Sequence, residues 1–467
     1  MMACLPSAIL STWADLPVWA AATVGLAAAV ATVHTGWVTR WAVAWHRAGA
    51  GKPQRDAEDG PSPAHPAPAA TPIAQDVHAP PPPAPVFTVV IPARNEAPRL
   101  GKLLGDLEVA RREIFGGFDV VVVDDGSDDG TAEVARTAGV RVLSLSQRDG
   151  SMGGGGGSGA GGGGKKAALL SAMAQVSTPW AVTLDADVRL QPGWGAAWHA
   201  CLGGQPEQVA AVAGPVVLLG ADPTASAMPA ASVAPIATAM PTAPLAAPSG
   251  SRWARVQALD FATQLGWAAG RLAEGWPASA SGANFAVRPA HYPDTRHAGP
   301  SGDDVLVLQA LHARGFRSVW LHDRHARVWT AGATTLPAWV SQRMRWAGKA
   351  KHYAPHARRT ALWMASVSAA QVAVVAASAV GWGLASSGAG TVGAAAAALW
   401  IWISGLHIAF ARGVARWFGL NARPLDWLLL ALSQPFQVPL LLLARTGALQ
   451  PFNIPSKPRW KGRTFDP

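Results

Sequence analysis

Cysteine is almost absent. Only Cys4 and Cys201 occur in the 467 residues, so neither a disulfide framework nor a cysteine zinc site can be built, and the redox compartment is left open. Charge is scarce too, at 14 % of residues against 50 % hydrophobic. That balance excludes a disordered chain and requires a large core or a membrane to take up the apolar surface. Acidic residues are the rarer sign, leaving a formal net charge of +10. Nucleic acid, an anionic lipid surface or a phosphorylated substrate would each suit that surplus. Position separates them. Arg40, Arg47, Lys52 and Arg55 follow one apolar run, and Lys349, Lys351, Arg358 and Arg359 precede another, where cytoplasmic anchoring of membrane helices puts basic residues. A membrane is the expected partner, and nucleic acid is not.

A positive segment ahead of the first apolar run is also missing, which speaks against a secretory signal peptide. Leu16 to Val38 carries no charge and is long enough for a bilayer, so residues 1–48 read as an N-terminal membrane anchor. Residues 49–85, with PSPAHPAPAA and APPPPAP, form a Pro/Ala-rich linker unable to build a core. Beyond it, short apolar strands alternate with helices: FTVVIPA, a helix from Pro98 to Arg112, FDVVVVDDGS, a helix from Thr131, then VRVLSL. WAVTLDADV at 180–188 and residues 209–219 read as further strands. This alternation predicts an α/β domain over 86–350 with a parallel sheet covered on both faces. Glycine-rich 150–164 and low-complexity 221–250 read as disordered insertions. Residues 351–467 are a C-terminal membrane region with a basic tail: two spanning helices and a third segment, 426–444, that Pro435 and Pro439 kink or turn back. Positive-inside counting of Lys457, Arg459, Lys461 and Arg463 favours a cytoplasmic tail.

Ligands of open α/β sheets sit beyond the C-terminal strand ends, and acidic clusters fall there. Pro92 ends a strand before Asn95 and Glu96, which alone read as an ordinary helix start. Asp124 and Asp125 end a second strand, with Asp128 and Asp129 as turn and capping candidates. Two adjacent carboxylates can accept hydrogen bonds from a uracil imide or a ribose hydroxyl. Asp185 and Asp187, two apart after a buried strand, suit a hard divalent cation shared with substrate phosphates. Asp303 and Asp304 precede an apolar helix. One is explained as its cap, and the other could act as a general base. Gln342, Arg345 and Trp346 share one turn of a basic amphipathic helix that can lie on a membrane.

In this order, the clusters resemble the family 2 glycosyltransferases over about 86–350. These are inverting enzymes of the GT-A fold, a Rossmann-like nucleotide-sugar-binding domain, and include cellulose-synthase-like and ceramide-glucosyltransferase-like membrane branches. The resemblance implies a nucleotide-sugar donor, UDP-linked, and a lipid or glycan acceptor. It makes Pro92, Glu96, Asp124, Asp125, Lys165 and Asp185 contacts to the donor, and Asp187 with Asp185 the holders of Mg²⁺ or Mn²⁺. Asp304 takes the place of the catalytic aspartate, with Asp303 where glutamate is usual. Gly282 and Asn284, in SGANFAV, would line the acceptor side. Gln342, Arg345 and Trp346 would close over the diphosphate and gate the acceptor entrance. Leu170 stands where the family commonly has asparagine. The branch also implies an integral membrane protein of the plasma (inner) membrane with its catalytic domain cytoplasmic.

Gly159 to Lys165 has the spacing of a phosphate-binding loop, which would make the chain a P-loop NTPase. That loop needs Ser or Thr after its lysine, and Lys166 stands there. Lys165 is therefore expected as a single useful cation at a helix start, behind a glycine tether whose ordering would cost much entropy. The sequence also admits a processive polysaccharide synthase or a non-catalytic membrane scaffold. Asp187 and Asp304 argue against the scaffold.

Overall fold

The computed structural model describes residues 18–50, 84–145, 164–219, 251–298, 301–383, 390–457, 459–460 and 463–464. Most of the Pro/Ala linker and nearly all of both expected insertions lie outside them. Helix α1 (Val18–Ala50) comes first, followed by β1 (Phe87–Ala93), α2 (Ala97–Arg112), β2 (Asp119–Asp124), α3 (Thr131–Thr137) and β3 (Arg141–Ser144). Next are α4 (Gly164–Met173), β4 (Trp180–Leu184), β5 (Arg189–Leu190), α5 (Trp194–Gly203), β6 (Val209–Ala213) and β7 (Val216–Leu219). After these stand α6 (Arg252–Ala273), β8 (Asn284–Val287), α7 (Val305–Ala313), β9 (Arg317–Trp320), β10 (Val328–Ala331) and α8 (Leu336–Ala347). The chain continues with α9 (Pro355–Gly383), α10 (Gly390–Phe418), α11 (Pro424–Ser433), α12 (Gln437–Arg445) and a short pair, β11 (Arg459–Trp460) and β12 (Arg463–Thr464).

Seven strands form one sheet in the order β3-β2-β1-β4-β8-β6-β9. β1 pairs in parallel with β2 and β4, as the run of apolar strands predicts. The sheet is nevertheless mixed, because β8 runs antiparallel between β4 and β6. Every residue of β4 and β6 is buried, the pattern of strands covered on both faces. The single strand expected over 209–219 is two, β6 in the main sheet and β7 in a second sheet with β5 and β10. Gly214 and Pro215 make the break: a Cβ on Gly214 would lie 2.4 Å from Asn284 Nδ2 and 2.7 Å from Trp198, and Pro215 has no ladder donor.

Helix α1 spans 33 residues, about 50 Å at 1.5 Å per residue, and continues past the charge-free run that ends at Val38. Its second half packs on the α/β domain, where Trp41 and Trp45 are buried in the main core. Trp45 meets Trp417 edge-on at 5.3 Å and stacks with Phe418. Across α6, Gly266 and Gly270 admit α10 and α1: a Cβ on Gly266 would sit 2.6 Å from Val414, and one on Gly270 3.2 Å from the Trp41 carbonyl. Among the described residues, three segments are long and apolar enough to cross a membrane: Pro355–Ala379, Gly393–Phe418 and Pro424–Arg445. The third joins α11 and α12 through a 3-10 turn at Gln434–Phe436. Pro435 sits in that turn, and Pro439 lies in the first turn of α12, where a missing N–H breaks no intrahelical bond.

Candidate active site

The loops after β1 and β2 are zipped together at the strand ends. Asp125 N–H donates to the Ala93 carbonyl, Asn95 N–H to Ser127 Oγ, and Asp128 N–H to Asn95 Oδ1. Asn95 takes a left-handed backbone, φ 53°. Asp129 is a capping residue, as its place just before a helix predicts: it accepts from Ala97 N–H and from Thr131 N–H and hydroxyl. Slight burial would raise its pKa, but these donors outweigh that and hold it below the ordinary range. Asp124 accepts from both the N–H and the hydroxyl of Ser127, so one of its oxygens closes a turn. Asp125 is buried beside Arg94, 3.6 Å from its carboxylate. Glu96 is also buried, accepting from Arg99 at 3.0 Å. Pro92 is only partly covered, as the last residue but one of strand β1.

A second cluster joins residues far apart in sequence. Lys165, at the start of α4, reaches Asp185 Oδ1 and Asp303 Oδ2, each at 2.7 Å, and 19 % of its side chain is exposed. Burial alone would lower the lysine pKa, but Asp185 and Asp303 reverse this and drive it up. Burial alone would likewise raise Asp303, and Lys165 and Lys349 instead hold its carboxyl below the ordinary range. Asp304 caps α7, accepting from Val305 N–H at 2.6 Å and from Gly282 N–H at 3.1 Å, with Lys349 Nζ 3.3 Å away. The residue expected as the base is therefore also the helix cap. Gly282 permits the approach, since a Cβ there would lie 2.8 Å from Asp303 Oδ2.

Arg345 on α8 lies within electrostatic reach of Asp185, Asp303 and Asp304. Its pKa is lowered by burial, which those carboxylates only partly oppose. Gln342 is partly buried one turn earlier on the same helix. Trp346 turns toward α6, its ring 5.7 Å from Phe261 and 4.9 Å from the Arg343 guanidinium. Asp187 is partly buried in the turn after β4, which Val188 N–H closes onto the Asp185 carbonyl. Among the described residues no group of three or more His, Cys, Asp or Glu could hold a metal alone. Asp185 and Asp187 suit Mg²⁺ or Mn²⁺ only as part of a shell completed by substrate oxygens, a common arrangement for Mg²⁺.

Asn284 corrects the expected acceptor-side pair. Its side chain is fully buried, donating to the Pro215 and Ala326 carbonyls and accepting from the Trp194 and Trp198 indoles. With both ends of the amide engaged, it pins β8 to the second sheet and leaves Gly282 alone at the carboxylate cluster. Sequence reasoning also missed Lys349, counted only as a membrane-flanking cation; its position four residues after Arg345 was the available signal. Lys166 is buried, with Nζ 2.8 Å from the Thr295 carbonyl. Among the described residues the buried Tyr292 hydroxyl has no hydrogen-bond partner, and burial and then Asp303 push its pKa up.

The family described as "Glycosyltransferase like family 2" matches residues 82–349. The chain belongs to that family, and its mixed α/β sheet is GT-A-like. Undecaprenyl-phosphate 4-deoxy-4-formamido-L-arabinose transferase of Pseudomonas aeruginosa is 36 % identical over 107 residues, 23 % of this chain and 29 % of its own length. The 4,4'-diaponeurosporenoate glycosyltransferase of Staphylococcus aureus is 42 % identical over 59 residues, 13 % of this chain and 15 % of its own. The chain thus matches less than a third of the length of these curated relatives. The solved mannosyltransferase PcManGT from Pyrobaculum calidifontis, in complex with GDP-Man and Mn2+, is similar over 88 % of this chain and 98 % of its own. That similarity has 16 % identity and a TM-score of 0.47.

Proposed function

We propose that this glycosyltransferase transfers a sugar, with inversion, from a UDP-linked donor to a lipid acceptor at the cytoplasmic face of a membrane. The observation that carries the reading is the meeting of Asp185, Asp303 and Asp304 with Lys165, Lys349 and Arg345 beyond the C-terminal end of β4, under a helix that packs on the apolar C-terminal segment. On that helix Trp339, Val340 and Met344 pack with Ala444 and Ile454, so an acceptor in the membrane has a short path to the carboxylates. Donor recognition falls to Pro92, Glu96, Asp124 and Asp125, and acceptor entry to Gln342 and Arg345, while Trp346, expected beside them, packs on Phe261 and the Arg343 guanidinium. The acceptor oxygen attacks the anomeric carbon as the bond to the diphosphate breaks, and the electron pair leaves on the nucleoside diphosphate. Lys165 and Arg345 are near enough to take up that charge. Asp187 and Asp185 would hold Mg²⁺ or Mn²⁺, which as a Lewis acid stabilises charge on phosphoryl oxygens.

Two acceptor chemistries differ at Asp304. A hydroxyl acceptor needs its proton removed; a lipid phosphate, of the kind named for the Pseudomonas relative, is already an anion. With sugar nucleotides, Mn²⁺ and membranes containing the full chain, nucleoside diphosphate release should be seen. Asp304→Asn should lower it by about 10²–10⁴-fold for a hydroxyl acceptor, and by less than tenfold for a phosphate. Absence of turnover with every sugar nucleotide, alongside turnover of ATP, would overturn the reading.

A further inference from the structure

Asp260, in the middle of α6, is a buried carboxylate outside the cluster described above, and it receives four side-chain donors. Oδ2 accepts from Arg343 at 2.6 Å and Gln264 at 2.9 Å, and Oδ1 accepts from Gln434 at 2.9 Å and Gln437 at 3.1 Å. Asp260 is 4 % and Arg343 6 % exposed. These donors come from three places: its own helix, the helix that carries Arg345, and the 3-10 turn and first residue of α12 in the C-terminal apolar segment. A surface ion pair would contribute little. This one is sealed, and loss of either partner leaves a buried charge unpaired.

Helical geometry makes the contact informative. Trp339 and Trp346, four before and three after Arg343, share its face of α8, and the guanidinium lies over both rings, 5.2 Å and 4.9 Å from their centroids. Arg345, two residues on, is rotated by about 200° at 100° per residue. When Arg343 is fixed on Asp260, Arg345 is therefore turned the other way, toward Asp185, Asp303 and Asp304.

We propose that Asp260 is a positioning residue for sugar transfer: through Arg343 it fixes the rotation of α8, and through Gln434 and Gln437 it ties that rotation to the membrane segment, so that Arg345 is held over the carboxylate cluster. Asp260 itself touches neither donor nor acceptor. The inference rests on the transferase reading above, and the test separates the two.

In the full chain in membranes, Asp260→Leu with Arg343→Met replaces the ion pair by apolar groups, a change folded proteins often tolerate. The expected result is a folded protein with a lowered thermal midpoint, because Gln264, Gln434 and Gln437 lose their acceptor, with donor KM within about twofold and kcat lowered by about tenfold or more, the split for an interaction made in the transition state. A kcat within twofold of the parent in this folded variant overturns the proposal. Should the double variant not fold, Asp260→Asn decides by amide hydrogen exchange across Leu336–Ala347. Exchange there should rise at least tenfold relative to β1, and unchanged exchange overturns the proposal. If the parent turns over no sugar nucleotide, the functional reading fails, while the exchange result still judges the positioning role.

Discussion

At the end of β4, buried charge is matched across long stretches of chain; between α1, α9 and α10, buried polar groups are left without a partner among the described residues. Lys165 meets Asp185 and Asp303, and Lys349 meets Asp304. Between α1, α9 and α10, both ring nitrogens of His34 and of His407 are buried without a hydrogen-bond partner among the described residues, as are Gln371 Nε2 and Ser404 Oγ. The two imidazoles lie 4.8 Å apart. Beside them is a cavity of about 10 Å³ lined by residues including Thr263, Gln371, Ser404, His407 and Gln434, roughly the room one water needs. A polar group in an apolar interior is costly unless bonded. The first region thus meets its buried charges with protein groups, whereas the second surrounds a water-sized cavity with polar atoms.

The largest expected effect follows from removing the cation that makes the first region coherent. Lys165→Ala should lower nucleoside diphosphate release by about 10²–10³-fold, the scale of losing one preorganised charge-stabilising donor. Equal turnover would show that the strand-end carboxylates work without it. A smaller effect is expected where the regions touch. Gly266→Leu should destabilise the chain by about 1–3 kcal/mol through overpacking against Val414, read as a lower thermal midpoint with faster proteolysis between α6 and α10.

Acid should then distinguish the regions. Because Lys165 and Lys349 hold the Asp303 carboxyl below its ordinary range, its ion pairs stabilise the fold above about pH 4 and weaken as pH falls through the lowered value. The stability gap between the parent and Asp303→Asn should be constant from about pH 9 to 5 and close below about 4. A gap that closed near neutrality would contradict the pairing. The smallest effect belongs to the cavity: Gln371→Met with Ser404→Ala removes two orphaned groups and should change stability by less than about 1 kcal/mol. A larger loss in unfolding measurements would mean that these side chains bind something other than a single water.

Legibility in sequence follows the same division. The strand-end carboxylates could be read because apolar runs of β-branched residues end visibly at Asp124 and Asp185, and the fold rule places ligands there. The reversal of β8 could not be read, since NFAV is equally apolar in either direction. Asn284 misled for a related reason. A residue opening a strand points to one face or the other according to register, and only Gly214, Pro215 and the two indoles determine which. Lys165 was legible as a cation but not as a bridge, because Asp303 lies 138 positions further along the chain. Asp260 gave no signal at all: within ALDFA it looks like one polar residue on an apolar helix, and its four donors come from elements that share no motif.

Helix α1 has a practical consequence for anyone seeking a soluble catalytic fragment. The Pro/Ala segment looks like the natural place to cut, yet the helix before it supplies Trp41 and Trp45 to the core and covers Trp267, Trp320 and Trp417. A chain begun at residue 84 would bare an indole-rich groove to water and aggregate. The N-terminal segment is a built-in wedge, and a soluble version would need those tryptophan contacts replaced before the membrane helices were removed.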